Sequence, residues 1–121
     1  MKVNVKIYEN RNLRCDMEQF DKDGNMYTPL GVVGENNANI LHFIKPDKIN
    51  NTNVSEFECT LNFRNTANKT YTYVLNGDYF SLGKELTVSN TLIMYVRFSK
   101  DDIVFWESFP IRFLLINHLS T

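Results

Sequence analysis

Thr91-Leu92-Ile93-Met94-Tyr95-Val96-Arg97-Phe98, the polar tip Ser99-Lys100-Asp101-Asp102 and the return through Ile103-Val104-Phe105-Trp106 decide the fold. A run of β-branched, aromatic and aliphatic side chains, a short charged turn and a second apolar run specify a hairpin rather than a helix. Phe109-Pro110-Ile111-Arg112-Phe113-Leu114-Leu115-Ile116 then supplies a closing strand. The first and last of these strands are apolar on both faces. Leu92, Met94, Val96 and Phe98 alternate with Ile93 and Tyr95, and Ile111, Phe113 and Leu115 alternate with Leu114 and Ile116. One set of each fills the core. The other must be covered by a loop, another sheet or another chain, because large apolar patches are rare on isolated soluble proteins. The residues expected in that contact are Ile93, Tyr95, Arg97, Leu114 and Ile116.

The rest of the chain agrees with this hairpin. Glu56 to Phe63 alternates without a fault, with Phe57, Cys59, Leu61 and Phe63 on the apolar face. Val3, Val5 and Ile7 alternate with Lys2, Asn4 and Lys6 as a half-buried strand. Thr70-Tyr71-Thr72-Tyr73-Val74-Leu75 is β-branched or aromatic almost throughout. Ile40 to Ile44 reads as a strand buried on both faces, and Leu13 to Phe20 as a weaker strand running into the turn Asp21-Lys22-Asp23-Gly24-Asn25. Residues 26–39 read mostly as loop, with a short extended piece at Tyr27-Thr28, and residues 47–53 as loop. Asp78 to Lys84 is expected to hold at most a single helical turn. No longer window has apolar spacing of three and four, so helix is expected in under about a tenth of the chain. The fold class is therefore all-β, an antiparallel β-sandwich of about eight strands, immunoglobulin-like or jelly-roll-like, with residues 1–121 as a single domain. The antibody-type core, with a Trp shortly after the first Cys, is excluded because Trp106 is the only tryptophan.

Composition sets the class of function more by exclusion than by signal. The 121 residues are 43% hydrophobic and 13% aromatic, enough for one core without metals or disulfides. Thirteen basic and 14 acidic residues are interspersed for a net charge of −1, with no Lys/Arg block to gather phosphates. Nucleic acid is therefore not expected as a partner. The N-terminus alternates where a signal peptide needs an unbroken apolar stretch, and no window approaches a membrane span, so neither export nor a membrane partner is expected. Cys15 and Cys59 are expected as free thiols of a protein made in a reducing cytosol. The frequent Asn, Lys and Ile suggest an AT-rich coding sequence. The sequons at Asn50, Asn53 and Asn68 are read as chance products of the abundant Asn.

Four chemical constellations fail on spacing or context. Asp21, Asp23 and Asn25 open like a calcium loop, but its glycine belongs at the sixth position and Gly24 is fourth, and Val32 stands at the twelfth where a bidentate Glu is needed, so a hairpin turn is expected. A nucleophilic pair would need Cys15 or Cys59 beside His42 or His118, and Cys59 shares an apolar face where a thiol is inert. Two histidines without a Cys or carboxylate pattern do not make a zinc site. Asp101-Asp102 sits at a hairpin tip, where water keeps both groups ionised. No catalytic residue, metal ligand or cofactor is expected, and no enzyme. The aromatics leave one alternative open: Tyr71, Tyr73 and Trp106 could form a platform on which sugars stack, against the expectation that they pack between the sheets or in a subunit contact.

A family resemblance takes the reading further. Ile40-Leu41-His42-Phe43-Ile44 before a Lys45-Pro46-Asp47 turn is followed by a Tyr-rich strand, then Leu82-Gly83 and Leu86, and last a hairpin ending in Ser108-Phe109-Pro110-Ile111. This order, with Tyr73, Leu75 and Phe98, resembles the N-terminal β-sandwich domain of upper-baseplate and tail-fibre attachment proteins in phages of Gram-positive bacteria. The resemblance implies a non-enzymatic virion component, synthesised in the host cytoplasm, that forms homo-oligomers and binds other virion proteins. Such domains usually lead into a fibre or coiled coil, whereas this sequence stops shortly after Ile116. It is therefore expected to act as a docking domain alone, or as a small head-fibre, capsid-decoration or adaptor protein. The alternative class is a carbohydrate-binding β-sandwich module that recognises host glycans.

Overall fold

The computed structural model describes residues 1–117. His118, weighed above as a partner for a thiol, lies outside the described residues. Strands in chain order are β1 (Lys2–Ile7), β2 (Leu13–Cys15), β3 (Gln19–Phe20), β4 (Met26–Val32), β5 (Ile40–Ile44), β6 (Lys48–Ile49), β7 (Thr52–Asn53), β8 (Glu58–Asn65), β9 (Thr70–Val74), β10 (Tyr79–Ser81), β11 (Thr91–Lys100), β12 (Ile103–Glu107) and β13 (Ile111–Ile116). The only helical pieces among the described residues are 3-10 turns at Val54–Glu56 and Lys84–Leu86. A small sheet of order β10-β5-β1-β2 packs on a large sheet of order β3-β4-β13-β11-β8-β9, with β12 also paired to β11. One apolar cluster fills the space between them. Val3, Val5, Leu41 and Phe43 come from the small sheet, and Leu61, Phe63, Leu92, Met94, Val96, Phe98, Phe113 and Leu115 from the large one.

The all-β sandwich is as the alternating patterns predict, and its details differ in five respects. The described residues form thirteen strands rather than about eight. Five of them, β2, β3, β6, β7 and β10, run only two or three residues, too short to show alternation. The sheets are mixed rather than purely antiparallel, because β1 pairs β5 and β13 pairs β4 in parallel. Residues 26–32 form a full strand where a loop is expected. Pro29 and Gly31 hid it, and both are tolerated because β4 is an edge beyond the two-residue β3 and its ladder with β13 is irregular there. β5 is buried on one face only: Leu41 and Phe43 point inward, while His42 is half-buried and Ile44 exposed. The helical turn expected at Asp78–Lys84 is replaced by β10 and shifted to Lys84–Leu86.

β11 is the spine of the large sheet, flanked by β8 along one side and by two separate strands along the other. β13 pairs with Thr91 to Met94, and β12 pairs with Arg97 to Lys100. Ser108 fills the gap between these partners. Its N–H donates to the Val96 carbonyl at 2.9 Å, and the Val96 N–H donates to Ser108 Oγ at 2.9 Å. The Ser-Phe-Pro-Ile run thus lets the chain change from β12 to β13 without orphaning buried backbone groups. The β11–β12 hairpin turns on Asp101 and Asp102, both at positive φ (52° and 63°), as a two-residue loop that matches the twist of the strands.

Candidate functional site

The alternation of β11 separates its two expected surfaces. Leu92, Met94, Val96 and Phe98 are 0% exposed and face the small sheet. Ile93, Tyr95 and Arg97 turn to the outer face and are half-buried. On β13, Phe113 and Leu115 point inward, Leu114 is half-buried, and Ile116 is 64% exposed. All five residues expected in a contact therefore lie away from the core, although Ile116 sits at the far end of its strand.

Pairing with β8 completes this outer face. The register places Thr60 opposite Arg97, Asn62 opposite Tyr95 and Arg64 opposite Ile93. On the other side of β8, Thr72 stands opposite Asn62 and Thr70 opposite Arg64. Between them lies a groove of about 500 Å³, lined among others by Asn62, Arg64, Thr72, Tyr95, Arg97 and Pro110. Small threonines on β9 against larger side chains on β11 open the concavity. Arg97 is held by Nε to Glu107 Oε1 at 2.8 Å, donates to the Tyr95 hydroxyl at 3.2 Å, and lies 5.8 Å from the centre of that ring. Arg64 is exposed and has no ion pair among the described residues. Arg112, opposite Ile93, pairs with Asp21 Oδ2 at 2.8 Å and holds the Asp21 carboxyl below the usual range.

Two atoms of this face are unusual. Thr60 and Asn62 are 8% and 7% exposed, and Thr60 Oγ1 and Asn62 Nδ2 have no hydrogen-bond partner. Asn62 Oδ1 is used, accepting from Thr72 Oγ1 at 2.9 Å. An unpaired buried donor costs about 1–3 kcal/mol. A group that presented an acceptor to Asn62 Nδ2 would remove that cost, and the exposed guanidinium of Arg64, two residues along the same face, favours an anionic one. The arrangement can bind. Nothing in the sequence pattern pointed to Thr60, Asn62, Arg64 and Thr72, which read as the solvent face of the most regular strand and its neighbour.

The sugar platform does not form from the residues expected to build it. Trp106 is 2% exposed, packs on Phe98 with ring centres 5.4 Å apart and directs Nε1 to the Glu9 carbonyl. Tyr71 and Tyr73 stand opposite Phe63 and Leu61 on the inner face. Tyr73 meets Phe63 and Phe80, and its hydroxyl donates to Glu85 at 2.7 Å, which together with burial raises its pKa. Lys69 covers one side of the Tyr71 ring at 5.6 Å. These rings are packing elements, because odd-numbered positions of β9 share the core-facing side of β8.

The remaining expected positions have structural tasks. Asp21 Oδ1 caps its own turn through the N–H groups of Asp23 and Asn25, and its other oxygen holds Arg112. His42 stacks on Tyr79 at 4.5 Å and meets Asn4 Oδ1 through Nδ1 at 2.9 Å. Cys15 and Cys59 are free thiols on different sheets, each raised by burial to about 11. No helix among the described residues is long and apolar enough to cross a membrane. No protein-family model matches the chain, and no curated protein matches its sequence.

Proposed function

We propose that this protein is a non-enzymatic virion component, a baseplate or tail-fibre docking domain or a small decoration or adaptor protein. It binds other virion proteins through the outer face of its large sheet and associates with copies of itself. The virion setting is supported by the resemblance of the strand order and the Lys-Pro-Asp and Ser-Phe-Pro-Ile turns to phage attachment domains. Binding through this face is carried by one observation: Thr60 Oγ1 and Asn62 Nδ2 are buried without partners beside half-buried Ile93 and Tyr95. A tyrosine and two arginines around an apolar patch match the residue types that dominate protein–protein hot spots. The partner accordingly brings an apolar side chain for Ile93 and Tyr95 and a carboxylate or carbonyl for Asn62 and Arg64.

The test has two arms. Neighbouring genes are expected to encode capsid or tail proteins, and the chain is expected in purified particles; its absence from particles would overturn the virion assignment. A photo-crosslinking residue at position 93 should capture a virion protein, whereas the same residue at position 42, on the outer face of the small sheet, should not. Equal capture from both positions, or from position 42 alone, would remove the assignment of the face.

A further inference from the structure

The free edges of the two sheets are unequal. β2, β3 and β10 end their sheets with only two or three residues. The open side of β4 carries Pro29. β12 is broken by a bulge opposite Phe98 and Ser99, and it ends on the charged Glu107. Short length, proline, bulges and charge are the devices by which proteins blunt an edge against pairing. β9 has none of them. It is five residues, Thr70-Tyr71-Thr72-Tyr73-Val74, in an unbroken ladder with β8.

Its exposed backbone groups can be placed. The Leu75 N–H donates to the Cys59 carbonyl at 2.9 Å, and the Asn65 N–H donates to the Lys69 carbonyl at 3.1 Å. Antiparallel ladders alternate, so Lys69, Tyr71, Tyr73 and Leu75 turn their backbone groups to β8. Thr70, Thr72 and Val74 therefore turn N–H and C=O away from it, along the open edge, and the side chains of all three are exposed.

We infer that β9 pairs antiparallel with β9 of a second copy of this chain about a two-fold axis at Thr72, joining the two large sheets into one. Thr72 then faces the partner's Thr72, and Thr70 faces the partner's Val74. Every pair brought together this way exchanges two backbone hydrogen bonds, using the outward-facing groups of both strands. The strand is complementary to itself. Lys69 faces the partner's Leu75, so no like charges oppose. Tyr71 faces the partner's Tyr73, which brings the Lys69 ammonium over the Tyr71 ring toward the carboxylate of the partner's Glu85. Thr70 and Thr72 also wall the groove, so the second copy places its own groove beside the first across the axis. A closed two-fold contact uses the bare edge of both copies and so leaves none for further growth. This rests on the self-association part of the reading above and not on the virion part.

The experiment is sedimentation equilibrium of the full chain across concentration. The mass should rise from 14.2 kDa toward twice that value. The midpoint is expected on the order of 100 μM, because the contact is smaller than the ~1,200 Å² of stable interfaces. Thr72→Lys sets like charges against each other at the axis and should weaken the dimer at least tenfold, with partial recovery in high salt. Thr72→Cys should form a covalent dimer on mild oxidation that the unmutated chain, with Cys15 half-buried and Cys59 buried, does not form. A wild-type chain that remains monomeric at millimolar concentration would overturn the inference. So would a dimer indifferent to Thr72→Lys but lost on Tyr95→Ala, which would move self-association to the sheet face and leave the docking reading intact.

Discussion

The two faces of β11 are built from similar residues to different ends. Inward, Leu92, Met94, Val96 and Phe98 are fully enclosed. Outward, Ile93, Tyr95 and Arg97 are nearly as rich in carbon but remain half-buried, beside two polar atoms that nothing in the described chain satisfies. The first face is complete and the second is not. Apolarity alone does not distinguish a core from a contact surface; completeness of packing and of hydrogen bonding does.

The largest expected effect tests the completeness of the inner face. Leu92→Ala should destabilise the fold by about 2–5 kcal/mol through lost burial and the cavity left behind. Ile93→Ala, one residue away, should change stability by under about 1 kcal/mol, since the side chain is only half-covered. Urea denaturation of both variants provides the comparison, and equal losses would show that the outer face is closed as well.

Thiol chemistry probes the same enclosure. Cys59 is on the core side of β8, and burial raises its pKa to about 11. Raised above the ordinary value, the thiol is the favoured form at neutral pH and the reactive thiolate is scarce. Alkylation of the native protein at pH 8 should be at least about 100-fold slower than in denaturant. The rate should climb only as pH approaches 11. Labelling of Cys59 at the unfolded rate would show that the inner face opens readily.

Much of the inner face was legible because burial on one side of a strand enforces a period of two, as at Phe57 to Phe63 and Leu92 to Phe98. The parallel pairings were not, since β1–β5 and β4–β13 join segments distant in sequence and no local pattern records a register. β4 was hidden by Pro29 and Gly31, which signal loops until an irregular edge accommodates them. The outer face was half legible. Ile93, Tyr95 and Leu114 stood out because they break the alternation. Thr60 and Asn62 did not, because a polar residue between apolar ones reads as solvent-facing; only their burial makes them informative. The Ser-Phe-Pro-Ile run was conspicuous, yet its task, serving Val96 between two strands, appears only in three dimensions.

That task gives the next prediction. Ser108→Ala keeps the backbone bond to the Val96 carbonyl and removes the hydroxyl that accepts from the Val96 N–H. A donor in the middle of the sheet is then left unpaired, at a cost of about 1–3 kcal/mol. Hydrogen exchange at Val96 should accelerate more than at Met94, which keeps its ladder partners. Uniform acceleration along β11 would mean that Ser108 stabilises the sheet as a whole and not this one junction.

The smallest effect bears most directly on function. On the inner face, removing a side-chain group should always destabilise. On the outer face, Thr60→Val exchanges an unpartnered buried hydroxyl for a methyl group of nearly the same shape. Removing an unsatisfied polar atom is expected to stabilise the isolated protein by roughly 1 kcal/mol. A position where the native residue is worse for stability than a simple replacement marks a site kept for something other than the fold. The same variant should weaken capture of the partner by a crosslinker at position 93, since the hydroxyl then has a role only in the complex. If Thr60→Val instead destabilises, the hydroxyl is satisfied in the free protein by water, and the outer face is as complete as the inner one. The two measurements together, thermal stability of the free chain and partner capture, separate a docking surface from a wet but idle sheet.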